Sequence, residues 1–158
     1  MEKTFQIHPI GFVRNKNNAF IIELEKEYYP ALTNIEGFSH LHVIWWAHLF
    51  EETKYPVSLI TEKPYKRGPG KLGLFATRTP LRPNPLLISI ISVQKIDHKK
   101  GLIHTPFIDA EDGSPVLDIK PYHLSERVKE CRVPGWCAHW PLWYEDSSTF
   151  DWKDELSF

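Results

Sequence analysis

His40-Leu-His-Val-Ile-Trp-Trp-Ala-His-Leu-Phe50 alternates with a period of two. Successive side chains of a strand point to opposite faces, so Leu41, Val43, Trp45, Ala47 and Leu49 share one face. That face is wholly apolar and predicts a side turned to the core. His40, His42, Ile44, Trp46, His48 and Phe50 share the other. Aromatic area beside imidazole hydrogen-bonding groups suits a pocket for a heterocycle, and it equally suits a strand at a subunit interface. His40, His42 and His48 also raise a metal reading. No acidic or cysteine partner follows at ligand spacing, so no metal is expected.

The rest of the chain extends the same pattern. Thirteen prolines and runs of β-branched and aromatic residues favour strands over helices. Strands are expected at Phe5–Arg14, Ala19–Leu24, His40–Phe50, Leu72–Thr77, Leu86–Asp97, Gly101–Ile108 and Val116–Ile119. Turns are expected at Lys16–Asn18, His98–Gly101 and Asp112–Gly113, with brief helices at Glu25–Leu32 and Leu124–Glu130, the second capped by Ser125. Closely spaced strands with turn residues between them predict a mainly β fold: a small antiparallel β-barrel, closed or nearly closed, with few short helices. Residues 1–158 read as a single domain with an aromatic and acidic C-terminal extension at about 131–158.

The net charge of −1 excludes a polycation, so any nucleic-acid contact must come from a local patch. Such a patch exists. Lys63 to Ile96 contains no Asp or Glu but holds Lys63, Lys66, Arg67, Lys71, Arg78, Arg82 and Lys95. The tail reverses the sign with Glu145, Asp146, Asp151, Asp154 and Glu155. The basic run either holds phosphates or is neutralised by the acidic tail. Cys131 and Cys137 are too few for a disulfide framework and lack zinc-knuckle spacing. With no signal-peptide pattern at the N-terminus and no apolar run near ~18 residues, a cytoplasmic protein without membrane contact is expected.

Three motifs bear on chemistry. Phe75-Ala-Thr-Arg78-Thr-Pro-Leu-Arg82-Pro-Asn84-Pro85 is stiffened by its prolines, and the residues before them are pushed toward extended conformations. A rigid loop carrying Arg78 and Arg82 suits a carboxylate or phosphate, because guanidinium forks bind these bidentately. Gly68-Pro-Gly70-Lys-Leu-Gly73 matches the spacing of a dinucleotide-binding loop but lacks the strand before it and the helix after it, so that reading is rejected. Asp109 to Tyr122 contains the Asp112-Gly113 turn, and then Asp118, Lys120 and Tyr122 alternate with Leu117, Ile119 and Pro121. A carboxylate, an amine and a phenol on one face can orient a polar substrate or move a proton, or form a surface ion pair.

Pro9-Ile-Gly-Phe-Val-Arg14, Gly37-Phe-Ser-His40-Leu, Leu72-Gly-Leu-Phe-Ala-Thr-Arg78-Thr-Pro-Leu-Arg82-Pro-Asn-Pro85 and Asp112-Gly-Ser-Pro-Val-Leu-Asp-Ile-Lys-Pro-Tyr122 occur in that order. With these motifs the chain closely resembles the TsaA-like (TrmO) family of tRNA N6-methyltransferases, from about Ile7 to Tyr122. The resemblance implies a small β-barrel that binds S-adenosyl-L-methionine without a Rossmann domain, usually as a homodimer with the site near the subunit interface. It implies methylation of N6-threonylcarbamoyladenosine beside the anticodon of tRNA. Cofactor contacts are implied at Ala47, His48, Arg78, Ile88, Asp112, Gly113, Ser114 and Pro115. Substrate contacts are expected at Lys66, Arg67, Arg82, Asn84, Asp118, Lys120 and Tyr122. Asp118, His48 and Tyr122 stand as equal candidates for a general base. Leu86-Leu87 stand where the family motif continues with a smaller second residue, which predicts a narrower site there. Two alternatives keep the cofactor: a small-molecule methyltransferase, and an S-adenosylmethionine-binding protein without catalysis.

Overall fold

The computed structural model describes residues 5–16, 19–50 and 57–157. Two compact units arise, one from Met1–Lys54 with Pro80–Arg127 and one from Tyr55–Thr79 with Val128–Phe158. The first is built on β1 (Gly11–Lys16), β2 (Ala19–Leu24), β3 (His40–Trp46), β6 (Leu86–Ser92), β7 (Lys95–Asp97), β8 (Leu102–Thr105) and β9 (Pro115–Pro121). They form one seven-stranded sheet in the order β6-β3-β9-β1-β2-β8-β7, with every pairing antiparallel. The second unit carries the hairpin β4 (Ile60–Glu62) and β5 (Lys71–Gly73), short 3-10 turns and the one-turn helix α1 (Trp152–Glu155).

The core of the first unit follows the alternation of β3. Leu41, Val43 and Trp45 are buried, and across them lie Val13, Ile22, Leu24, Ile91, Ile103 and Val116. Removing these apolar side chains from water is the main force holding the sheet in shape. Gly11 is required where β1 meets β2, because a Cβ there would stand 2.4 Å from the Glu23 carbonyl oxygen. The sheet is mainly β as expected, but its ladder is open, with β6 and β7 at its two ends. Those ends are consecutive in the chain. Between them the Val93 N–H donates to Ser39 O and the Gln94 N–H to His104 O.

Several boundaries differ from those expected. The first strand begins at Gly11 rather than Phe5, and Pro9 has no N–H to give a ladder. β3 ends at Trp46, after a register shift between Ile44 and Trp45. The chain then bends into a 3-10 turn at His48–Phe50, closed by the Phe50 N–H on Ala47 O. That turn takes Leu49 out of the alternation, leaving it 64% exposed instead of in the core. The strand expected at Leu72–Thr77 stops at Gly73, where Leu74–Ala76 turns and Thr77 Oγ1 donates to Leu74 O at 2.8 Å. Leu86–Asp97 is divided into β6 and β7, Gly101–Ile108 shortens to β8, and β9 runs past Ile119 to Pro121. Glu25–Leu32 is a 3-10 helix at Lys26–Leu32. The helix expected at Leu124–Glu130 is a single 3-10 turn, Leu124–Glu126, capped by His123 and Glu126 rather than by Ser125. The turn expected at Lys16–Asn18 falls largely outside the described residues.

Candidate cofactor and substrate site

Two neighbourhoods in the first unit collect most of the residues singled out above. One lies at the Asp112-Gly113 turn between β8 and β9. Gly113 has φ 81, a backbone state that favours glycine. Its N–H donates to Val13 O at 2.8 Å, and Asp112 Oδ1 accepts from the Asn15 N–H at 2.8 Å. These two bonds staple the turn to β1. Ser114 follows, 1% exposed, with its Oγ 3.3 Å from His48 Nδ1. Ala47 is buried beside His48 and donates its N–H to Pro85 O at 2.9 Å. Pro115 opens β9 opposite Phe12. His48 and Ser114 come from separate motifs, and the fold joins them.

The second neighbourhood is the outer face of β3, β6 and β9. Ile44 lies opposite Ile88 on one side and Asp118 on the other, and His42 lies opposite Lys120. Asp118, Lys120 and Tyr122 share this face, as the alternation predicts. Asp118 Oδ2 accepts from Lys120 Nζ at 2.5 Å and Oδ1 from the Ile119 N–H at 2.9 Å, so the carboxylate is engaged at both oxygens. The Tyr122 ring lies 5.3 Å from that of His42 and 6.5 Å from that of His40. His42 Nε2 meets Glu126 Oε2 at 3.0 Å. The His123 N–H on Glu126, and then His42, hold that carboxyl below its ordinary range. Glu126 was not foreseen. Its signal is the acidic residue three positions after a helix cap, here an unusual histidine cap. His42 Nδ1 and Trp46 Nε1 are buried on this face without a hydrogen-bond partner among the described residues. Leu87 faces away, opposite Trp45 and against the core, so its size narrows nothing on this outer surface.

The remaining residues are dispersed. Arg82 and Asn84 lie in the proline loop before β6, and Asn84 O accepts from the Leu86 N–H. Arg78 is exposed in the second unit. Lys66 and Arg67 are also in that unit, where the acidic tail meets them. Arg67 pairs with Asp154 at 3.2 Å and Glu155 at 3.4 Å, and Lys66 pairs with Asp154 at 3.7 Å. Glu155 is 2% exposed and receives His139 Nε2 at 2.7 Å and the Trp140 indole N–H at 3.2 Å. Burial pushes its carboxyl upward, but those hydrogen bonds and the Arg67 charge outweigh it and leave the group below its ordinary value. Of the two readings of the basic run, neutralisation by the tail is the one seen here for Lys66 and Arg67. Among the described residues no cluster of three His, Cys, Asp or Glu side chains could hold a metal, and no helix is long and apolar enough to cross a membrane.

Residues 3–126 match the family model of the tRNA-methyltransferase O N-terminal domain. The chain belongs to this family. It is 38% identical over 135 residues to a probable S-adenosyl-L-methionine-binding protein of Methanothermobacter thermautotrophicus, covering 75% of this chain and 90% of that one. It is 37% identical over 99 residues to the tRNA (adenine(37)-N6)-methyltransferase of Eikenella corrodens, covering 62% and 54% respectively. With the Escherichia coli protein of the same name it shares 32% identity over 114 residues, covering 71% and 48%. The chain thus spans about half the length of these two methyltransferases. A crystal structure of TrmO from Pseudomonas aeruginosa superposes with a TM-score of 0.64 at 25% identity, over 84% of this chain and 61% of that one. The family's mainly β architecture with few helices is therefore the architecture seen here.

Proposed function

We propose that this tRNA-methyltransferase O family member is an S-adenosylmethionine-dependent methyltransferase acting on N6 of the adenosine beside the tRNA anticodon, in its N6-threonylcarbamoyl form. The observation that carries the reading is the meeting of His48 with the Asp112–Pro115 turn inside a family match that spans residues 3–126. The residues suit the cofactor. Among the described residues, no atom beyond Gly113 and its two chain neighbours lies within 4 Å of the position a Cβ would take, which leaves room for close approach to the backbone. His48 Nε2 has no hydrogen-bond partner among the described residues and is left for a ligand. When bound, S-adenosylmethionine supplies an electrophilic sulfonium methyl to an in-line nitrogen nucleophile. The chain's part is to bind, orient and exclude water: Ala47, His48, Ile88 and the 112–115 turn on the cofactor side, and Arg82, Asn84, Asp118, Lys120 and Tyr122 toward the nucleotide.

The same reading takes the sheet as a nearly closed barrel, because β6 and β7 are one run of chain held at both ladder ends. It also takes the protein as a cytoplasmic homodimer. The support for a dimer is the outer face of β3 and β6, where Leu86 and Ile88 are exposed beside the Trp46 indole, whose N–H has no partner among the described residues. A second reading, a cofactor-binding protein without transfer, is favoured by the names of relatives such as the Methanothermobacter protein, of which the chain covers 90%.

Calorimetric titration with S-adenosylmethionine, run beside transfer of a labelled methyl group to total tRNA, decides between them. Saturable binding with label in tRNA is the expected result. Binding without transfer selects the second reading, and no binding overturns both.

A further inference from the structure

We propose that Ser114 fixes His48 as its Nε2–H tautomer, so that His48 donates a hydrogen bond to the cofactor and does not act as the base for methyl transfer. Ser114 is 1% exposed, and its backbone is tied on both sides: its N–H donates to Glu111 O at 3.1 Å, and its carbonyl accepts from the Val13 N–H at 2.9 Å. The backbone is thus held in place, and burial leaves the side chain to find its partner inside the protein. Among the described residues its Oγ meets one polar atom, His48 Nδ1 at 3.3 Å.

A serine hydroxyl carries one proton to give, and a neutral imidazole has one nitrogen that donates and one that accepts. If Nδ1 held the proton and gave it to Oγ, the buried hydroxyl proton would find no acceptor among the described residues, and buried unsatisfied donors are strongly disfavoured. If the hydroxyl donates to the Nδ1 lone pair, both groups are satisfied. The proton of neutral His48 then sits on Nε2, the nitrogen without a partner among the described residues.

An Nε2–H group seeks an acceptor, such as a ring nitrogen of the cofactor's adenine. It cannot take the proton that leaves N6. This removes His48 from the three candidate bases and leaves Asp118 and Tyr122. Ser114 is thus a positioning residue that acts through His48. The cofactor half of the inference rests on the function proposed above, while the tautomer does not.

Long-range 1H–15N NMR of the histidine-labelled protein tests the tautomer, with the His48 signals identified by their loss in His48→Gln. Wild type is expected to show Nδ1 unprotonated and Nε2 protonated, Ser114→Ala a mixture of tautomers, and Ser114→Thr the wild-type pattern again. A protonated Nδ1 in neutral His48 of wild type, or an unchanged spectrum in Ser114→Ala, overturns the assignment. Addition of S-adenosylhomocysteine should shift the Nε2 proton, and Ser114→Ala should weaken its binding about tenfold, with Ser114→Thr restoring it. Calorimetric binding that leaves the Nε2 proton signal unmoved overturns the donor role. Absence of binding overturns the cofactor half together with the proposed function, while the apo spectra still decide the tautomer.

Discussion

His42 with Glu126 and His139 with Glu155 are one chemical pair built at two depths. On the sheet, the Glu126 side chain is 45% exposed, and besides His42 it meets the His123 amide. In the second unit, Glu155 is 2% exposed, and three groups converge on it: His139, the Trp140 indole and Arg67. Around them Tyr65 stacks on Trp136 at 5.1 Å, and Trp140, Trp152 and Phe150 continue the aromatic chain. A carboxylate at the surface keeps water as a partner, whereas a buried one must be matched by protein groups. The first unit has an apolar core and wears its ion pair outside. The second is organised around a charge.

That contrast can be broken most forcefully in the sheet. Leu41→Ala, at a fully buried position, should cost about 2–5 kcal/mol in urea unfolding. A loss below about 1 kcal/mol would mean that the apolar core is not what holds the first unit.

Glu155→Gln comes next. It should abolish much of the near-ultraviolet circular dichroism of the tryptophan cluster at neutral pH, while Glu126→Gln leaves that signal intact. Equal effects would erase the distinction of depth. Acid should act the same way. Both carboxyls lie below their ordinary range in the folded protein, so their stabilisation is present above that range and is lost as pH falls through their lowered values. The tryptophan signal of wild type should therefore fade on acidification, and Glu155→Gln should lose that part of the pH dependence.

The smallest effect belongs to Asp154, 62% exposed and paired with Lys66 and Arg67. Asp154→Asn should cost at most about 1 kcal/mol, and the loss should shrink in high salt. A larger, salt-independent loss would make this rim pair part of the buried network.

How far the sequence could be read follows from the range of the forces involved. The period of two in β3 is a local property, and it correctly placed Leu41, Val43 and Trp45 in the core and His42 outside. It failed at Leu49, because the turn after Trp46 is drawn by a bond from the Ala47 amide to Pro85, a partner that alternation does not name. Asp118, Lys120 and Tyr122 were legible as one face for the same local reason. The contact of His48 with Ser114 joins two motifs that only the finished sheet brings together, and nothing in either predicts it. Glu155 was visible only as one acid in an acidic tail. Its burial depends on aromatic residues from three separate stretches.

The run from Leu86 to Asp97 has a consequence for how fast the protein can form. Its first half pairs with β3 and its second half with β8, while β9, β1 and β2 fill the order between. The strand cannot be fully satisfied until segments far apart in the chain have already met. Each such meeting costs loop entropy before it yields contacts. We expect the sheet to assemble as one cooperative event on the slow side of small-domain folding, with β6 and β7 completed last and mutations along them registering more in the unfolding rate than in the refolding rate.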